Sequence, residues 1–167
     1  MREKTANWFE TTVRYERQSD DNQKKVTETY VVEAVNFGEA EEIITRETAP
    51  FVTGEFQVKS IAPAAYGEIF FSDNEQDDKW YKAKVAFITM DEKTSKEKRS
   101  VTTYLVQAGS FNSAVKNVDA VEEKGLGEYQ IVNISETKIM DVYEYQVVSK
   151  KQEVDDKPEY EAQDEKK

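Results

Sequence analysis

The side chains of this chain that could carry chemistry are carboxylates, amines and hydroxyls, because its 167 residues include neither histidine nor cysteine. Histidine is the usual general base and a common metal ligand, and cysteine supplies a strong nucleophile. The sequence also has no glycine-rich phosphate loop and no nucleophile elbow. We therefore expect a protein that is not an enzyme and that needs no cofactor.

Two groups of acidic residues could in principle form a site. Glu41 and Glu42 offer two carboxylates, as glycoside hydrolysis requires, and residues 73–78 offer oxygen ligands for calcium. The segment lacks the glycine and the distal glutamate of an EF-hand loop, and the two glutamates fall in a short helical pattern. The favoured interpretation is a solvated helix face and a polar connector, with no metal site.

A different chemistry is the binding of single-stranded nucleic acid, in which aromatic rings stack on bases and basic side chains contact phosphates. Two tryptophans lie on the strand face opposite the main apolar residues, and basic residues follow in the same strand and in the next hairpin. The candidate nucleic-acid-binding residues are Trp8, Trp80, Lys82, Lys84, Lys98 and Arg99. The competing interpretation is that the tryptophans cover a sheet face packed against another part of the protein, while the basic residues keep the surface hydrated.

The overall charge weighs against indiscriminate phosphate binding. The chain carries a formal net charge of −11 at pH 7. Residues 150–167 hold five lysines and seven acidic residues, so the rest of the chain still carries −9. An acidic tail therefore does not hide a basic body.

These candidate residues belong to a chain that is duplicated in tandem. Four blocks recur in the same order at offsets of 72 to 74 residues, and their apolar positions are largely kept. The matching blocks are 8–15 with 80–87, 29–37 with 103–111, 54–58 with 127–131, and 68–70 with 141–143.

Each copy has the pattern of strand, strand, helix, strand, strand. Alternating residues such as Phe9, Val13 and Tyr15 predict a strand with one buried face. Asn36 and Ser110 precede helical patterns at equivalent positions, as N-caps do. The sequence thus predicts an α+β fold: a tandem duplication of a strand-strand-helix-strand-strand unit, with antiparallel sheets each backed by one helix and related by a pseudo-twofold axis.

The expected boundaries are a first repeat at 1–72, an acidic linker at 73–78, a second repeat at 79–148 and a charged tail at 149–167. The composition of the tail predicts disorder. No apolar run approaches the roughly 20 residues of a membrane span, so we expect a soluble protein with no membrane association. The aromatic residues expected to be structural are Phe9, Tyr15, Phe37, Phe87 and Phe111.

Several strand and turn segments resemble an uncharacterised family, domain-of-unknown-function family 4494, of Bacteroides-group bacteria and their crAss-like phages. The segments that carry the resemblance are 7–11, 26–32, 87–93 and 140–143, and it covers roughly residues 7–146. They contain no catalytic signature, so no functional residue can be transferred. The resemblance implies a phage or mobile-element setting and the cytoplasm of a bacterial host cell.

Two functions remain open from the sequence. The first is a non-catalytic protein that binds single-stranded nucleic acid in that setting. The alternative is a protein–protein interaction adaptor, or an inhibitor of a host protein, that binds through sheet edges or an aromatic surface. A homo-oligomer is also compatible with exposed sheet edges.

Overall fold

The structure is a computed structural model, and it describes residues 6–18, 23–125 and 127–145. Eight strands and two long helices occur in it, together with a 3-10 turn at Ala49–Phe51. In chain order the elements are β1 (Asn7–Gln18), β2 (Gln23–Ala34), α1 (Phe37–Thr48), β3 (Phe56–Pro63), β4 (Glu68–Phe70), β5 (Lys79–Met90), β6 (Glu97–Ala108), α2 (Phe111–Glu122), β7 (Glu128–Glu136) and β8 (Ile139–Tyr143).

The strands form two four-stranded sheets, which confirms the predicted α+β class. Sheet A has the order β3-β1-β2-β8, and sheet B has the order β4-β6-β5-β7. The short last strand of each copy therefore joins the sheet of the other copy. Both exchanged strands pair in parallel, β8 with β2 and β4 with β6, whereas all other pairs are antiparallel. The two copies are consequently interlocked.

Strand register confirms the duplication residue by residue. Val13 lies opposite Glu28 in sheet A, and the equivalent Val85 lies opposite Thr102 in sheet B. Even an irregularity is repeated, because β3 and β7 each carry a bulge where they pair with β1 and β5. The duplicated sequence thus specifies the same local geometry twice.

Each helix covers the outer face of its own sheet. The side chain of Asn36 accepts a hydrogen bond from the backbone of Glu39 at 2.9 Å, and Ser110 caps α2 through Ser113. Ala40 and Ile44 of α1 pack on the apolar face of β1 and β2, and Val118 of α2 packs on sheet B. The N-caps predicted from the sequence are therefore confirmed.

The inner faces of the two sheets meet through a third apolar cluster that draws on both copies. Its two largest members are Trp8 and Trp80, which are 9% and 2% exposed. The other buried members are Val31, Tyr66, Ile69, Leu105, Ile139 and Val142. Since Ile69 lies on β4, and Ile139 and Val142 lie on β8, the exchanged strands help to build this cluster.

Two of the aromatic residues expected in the core are on the surface. Phe37 and Phe111, the first residues of the two helices, are 51% and 54% exposed. Helical spacing placed them on the apolar stripe, but each ring is only partly covered, and Phe37 packs on Phe9 with centroids 5.0 Å apart while half of its surface stays exposed. The predicted disordered tail, 149–167, lies outside the described residues. Within the described part, no helix is long and apolar enough to cross a membrane.

Candidate binding site

Trp8 and Trp80 are not available as stacking platforms for bases. The expectation that they could be exposed is wrong, because the face of each strand that carries them is covered by the other sheet. The competing interpretation, that they pack against the other copy, is confirmed. A base would have to displace this inter-sheet contact in order to stack on either ring.

The six candidate residues do not form one surface. Lys82, Lys84 and Arg99 lie on the same face of sheet B as Trp80, since Arg99 pairs with Ile88, an even-numbered position of β5. Lys98 pairs with Thr89 and therefore points to the opposite, helix-covered face. Arg99 is also distant from Lys84. Its partner Ile88 lies four residues from Lys84 along β5, which is about 13 Å at the usual rise of a strand.

The amine of Lys82 already has partners within the protein. Its Nζ lies 3.9 Å from Glu10 Oε2 of the other sheet and 5.8 Å from the centroid of the Tyr66 ring. The Tyr66 hydroxyl donates to the same Glu10 oxygen at 3.5 Å, and burial, with the adjacent carboxylate, raises the pKa of Tyr66. This contact borders a cavity of about 540 Å³, also lined by Lys84 and Asn133, which opens between the sheets. Of the predicted cations, only Lys84 and Arg99 are both exposed and on this inner face.

The acidic linker is exposed at five of its six residues, as a solvated connector would be, and Asp77 is the exception. Asp77 is 8% exposed and accepts a hydrogen bond from the hydroxyl of Ser72. A Cβ atom at Gly109 would lie 2.7 Å from the carbonyl oxygen of Gln76, so glycine is required for this close approach. Among the described residues, no group of three or more acidic side chains is placed to hold a metal ion.

An apolar groove in the first copy is the most distinctive surface feature near the tryptophans. It has a volume of about 610 Å³ and lies at the end of sheet A, beside the start of α1. Its apolar lining residues are Trp8, Phe9, Val35, Phe37, Pro63, Ala64, Ala65 and Tyr66. The half-exposed Phe37 ring packs at 5.0 Å from the Phe9 ring, between centroids, and forms one wall.

Beside Trp80 of the second copy, the segment that follows the exchanged strand β4 fills the equivalent position. Phe71 packs edge-on against Trp80 with ring centroids 5.5 Å apart, and the backbone N–H of Ser72 donates to Gln107 at 2.9 Å. The linker then passes over Gly109, whose counterpart in the first copy is Val35. Trp80 is accordingly more deeply buried than Trp8. Sheet A has part of the same arrangement, because the backbone N–H of Tyr145, which follows β8, donates to Glu33 at 3.0 Å. Register, however, places Glu144 where sheet B has Phe71. Sequence reasoning missed the groove, although alignment of the copies shows this exchange of phenylalanine for glutamate.

The open sheet edges are less suited to pairing with a partner strand. The bulges of β3 and β7 place Lys59 and Val132 at equivalent positions, outside the regular pairing with β1 and β5. A bulge interrupts the row of backbone groups that an added strand would use. In β3, Lys59 and Pro63 protect the edge further. Of the two surfaces expected for an adaptor, the aromatic one has the better geometry.

The chain belongs to the family described as Domain of unknown function (DUF4494), whose model matches residues 7–145. The match includes both copies and every described strand and helix. No curated protein matches the chain.

Proposed function

We propose that this member of the family is a non-catalytic protein-binding adaptor that holds an aromatic side chain of its partner in the apolar groove over Trp8. The observation that carries the proposal is the difference between the copies. Phe71, which follows the exchanged strand β4, packs against Trp80, whereas Glu144 stands at the equivalent position after β8 and the groove at Trp8 is lined by half-exposed apolar side chains.

The second copy also indicates how a partner would sit. The ring of Phe71 packs against Trp80, and the backbone N–H of the next residue, Ser72, donates a hydrogen bond to the side chain of Gln107. In the groove, an aromatic residue of an extended partner segment would pack mainly on the exposed side chains of Phe37 and Val35, since Trp8 is itself only 9% exposed. Aromatic side chains contribute most of the binding energy in many interfaces, because they bury a large area at a small cost in conformational entropy.

Charge favours a partner segment that is neutral or basic. Glu33, which lies opposite Trp8 across β1 and β2, replaces the Gln107 that lies opposite Trp80. The chain as a whole carries −11. A basic partner would approach this surface faster than an acidic one, and its association would weaken with salt.

Isothermal titration with a peptide derived from the chain tests this proposal. The probe copies Phe70–Asp78 with its four acidic residues changed to the corresponding amides, and the control peptide has alanine in place of the residue equivalent to Phe71. We expect saturable binding of the first peptide and at least about tenfold weaker binding of the second, since a lost aromatic anchor costs more than 1 kcal/mol in typical interfaces.

Matched variants of the protein locate the binding. Phe37→Ala removes a wall of the groove, and Phe111→Ala removes the equivalent, similarly exposed ring from the other copy. Phe37→Ala should weaken peptide binding while Phe111→Ala leaves it unchanged. Equal effects of the two variants, or no binding by the wild-type protein, would contradict the proposal. If Phe37→Ala instead converts a dimer into a monomer in sedimentation, the occupant is a second copy of the chain.

Single-stranded nucleic-acid binding in a phage or mobile-element setting is the second candidate function. It is supported by the common face of Lys82, Lys84 and Arg99, and it is weakened by the burial of both tryptophans. Fluorescence anisotropy of a labelled oligonucleotide at two salt concentrations tests it. Salt-sensitive binding that is lost in a Lys84→Gln, Arg99→Gln double variant would favour this candidate, and no binding at low salt would exclude it.

A further inference from the structure

A buried carboxylate lies on the helix-covered face of sheet A. Glu28 is 8% exposed, and its Oε1 accepts hydrogen bonds from the hydroxyl groups of Tyr15 and Tyr30. The ring of Tyr143, from the exchanged strand β8, stacks on Tyr30 with centroids 5.8 Å apart. One acidic group is therefore surrounded by three tyrosines that come from both copies.

The other copy shows that the fold does not require this arrangement. Register places Thr102 at the position of Glu28, and the equivalent aromatic residues are Phe87, Tyr104 and Phe70. The Tyr104 ring packs on the rings of Phe70 and Phe87, with centroids 5.0 and 6.4 Å away. A buried carboxylate is costly compared with such an apolar cluster. The first copy thus buries a carboxylate more deeply than the second copy does, where the acidic groups near Tyr104 are the partly exposed Glu122 and the exposed Glu68.

A cavity of about 170 Å³ adjoins Glu28. Its floor is formed by the carboxylate and the tyrosines, and its outer wall includes Phe51 and Met140, each 49% exposed. The hydrogen bonds from Tyr15 and Tyr30 both go to Oε1 of Glu28, and Glu28 is one of the residues that line the cavity. At about 30 Å³ per water, the space corresponds to roughly six water molecules.

The charges around the cavity favour a cation. Asp141 lines it, and Glu47 at the end of α1 is near enough to affect Tyr143. The carbonyl groups at the C-terminus of a helix add partial negative charge. Arg17 lines the cavity too and is its one basic lining residue among those described. Burial, together with Glu28, raises the pKa of Tyr15 to about 12, so this hydroxyl stays protonated at neutral pH.

We propose that this cavity binds an alkylammonium group, with the positive charge against Glu28 and the alkyl carbons against the tyrosines, Phe51 and Met140. Aromatic rings attract ammonium ions through their electron-rich faces, and the effect is largest where the cation loses water. An alkylammonium group combines a positive charge with apolar carbons, and the cavity lining combines a carboxylate with aromatic and apolar side chains. The site is separate from the groove over Trp8 and does not depend on the proposed function.

Choline and its uncharged carbon isostere, 3,3-dimethylbutan-1-ol, provide a matched pair of probes of nearly identical shape. In nuclear magnetic resonance titrations of the full chain, we expect saturable choline shifts at Glu28, Tyr30 and Tyr143. The isostere should bind at least about tenfold more weakly. Equal binding of the two compounds, or no saturable shift with choline, would overturn the proposal.

The variant Glu28→Gln removes the charge and keeps the shape. It should weaken choline binding at least about tenfold while leaving the folded spectrum intact. Glu122→Gln is the matched control, since Glu122 is a partly buried carboxylate near Tyr104 of the other copy. Unchanged choline affinity in Glu28→Gln, or an equal loss in both variants, would refute the assignment. If Glu28→Gln does not fold, Met140→Ala provides the second test, because loss of a wall should weaken choline binding without removing a buried charge.

The ammonium group could come from a free metabolite or from a lysine side chain of a protein. A peptide with a central trimethyllysine, compared with free choline, separates these sources. Tighter binding of the peptide would indicate a protein ligand, and tighter binding of choline would indicate a metabolite.

Discussion

The change Trp80→Ala should destabilise the protein strongly, because this side chain is 2% exposed within the cluster that joins the two sheets. A buried aromatic residue covers about 150–250 Å², which at about 25 cal/mol per Å² corresponds to about 4–6 kcal/mol. Measured changes of buried phenylalanine or tryptophan to alanine cost about 3–5 kcal/mol. We expect a loss in this second range, since part of the space is refilled.

Urea unfolding followed by circular dichroism measures this loss. For a protein of this length, about 3–5 kcal/mol also lowers the melting temperature by roughly 6–20 °C. Met90→Ala is the control, because Met90 lies on the same strand but is 67% exposed, and it should change the free energy of unfolding by less than about 0.5 kcal/mol. A loss below about 1 kcal/mol for Trp80→Ala, with an unchanged dependence on urea, would refute the burial of Trp80 between the sheets.

A double-mutant cycle extends the test to the contact between the copies. Trp8 and Trp80 belong to different repeats and share one cluster. Residues in one packed cluster show coupling energies of about 0.5–3 kcal/mol. Additive effects of Trp8→Ala and Trp80→Ala, within about 0.3 kcal/mol, would mean that the two copies do not pack together in this way.

Three further predictions follow from the differences between the copies. In a Trp8→Phe background, Phe71→Ala should shift the fluorescence emission of Trp80 to longer wavelength, because the ring that covers its edge is lost; an unchanged spectrum would contradict this packing. Val132→Lys should change the free energy of unfolding by less than about 0.5 kcal/mol, since Val132 is exposed and the same bulge in β3 already carries lysine; a larger loss in urea would show that Val132 is packed. Because folding raises the pKa of Tyr15 from 10.0 to about 12, its contribution to stability is complete below pH 10 and is lost as the pH rises towards 12. Absorbance at about 295 nm follows the ionisation, and a Tyr15→Phe variant that leaves the alkaline titration unchanged would refute the assignment.

Much of the fold could be predicted from the sequence because its signals are local. Alternation along β1 and β5, the N-caps at Asn36 and Ser110, and the recurrence of four blocks all depend on neighbouring residues. The exchange of the last strands could not be predicted in the same way. β4 and β8 have only three and five residues, and their apolar pattern fits either sheet equally well. Which sheet they join depends on how the two copies pack.

The exposure of the two candidate tryptophans depends in the same way on how the two copies pack, which local sequence patterns do not show. Alternation correctly places Trp8 and Trp80 on the face opposite Phe9 and Tyr81, but it cannot tell whether that face is wet or covered by the second sheet. Lys98 and Arg99 are adjacent in sequence, so strand geometry alone already places them on opposite faces. The sequence alone therefore argues against a single surface that contains both Lys98 and Arg99.

The signal for the buried carboxylate was also present in the sequence. Val26, Tyr30 and Val32 form the apolar face of β2, and Glu28 interrupts it, whereas the second copy has Thr102 there. Comparing the two copies position by position identifies this difference. Differences between repeats at equivalent buried positions are therefore more informative here than clusters of charge on the surface.

The proposed groove over Trp8 accepts an aromatic side chain of a partner, as Phe71 packs against Trp80 in the other sheet. The most direct measurement is a nitrogen–proton correlation spectrum of the full chain during titration with the amide-substituted peptide of Phe70–Asp78. We expect saturable shifts at Val35, Phe37 and the Ala64–Tyr66 segment, with none at Gly109–Phe111. Shifts at the second copy alone, or the same shifts with the alanine control peptide, would contradict it.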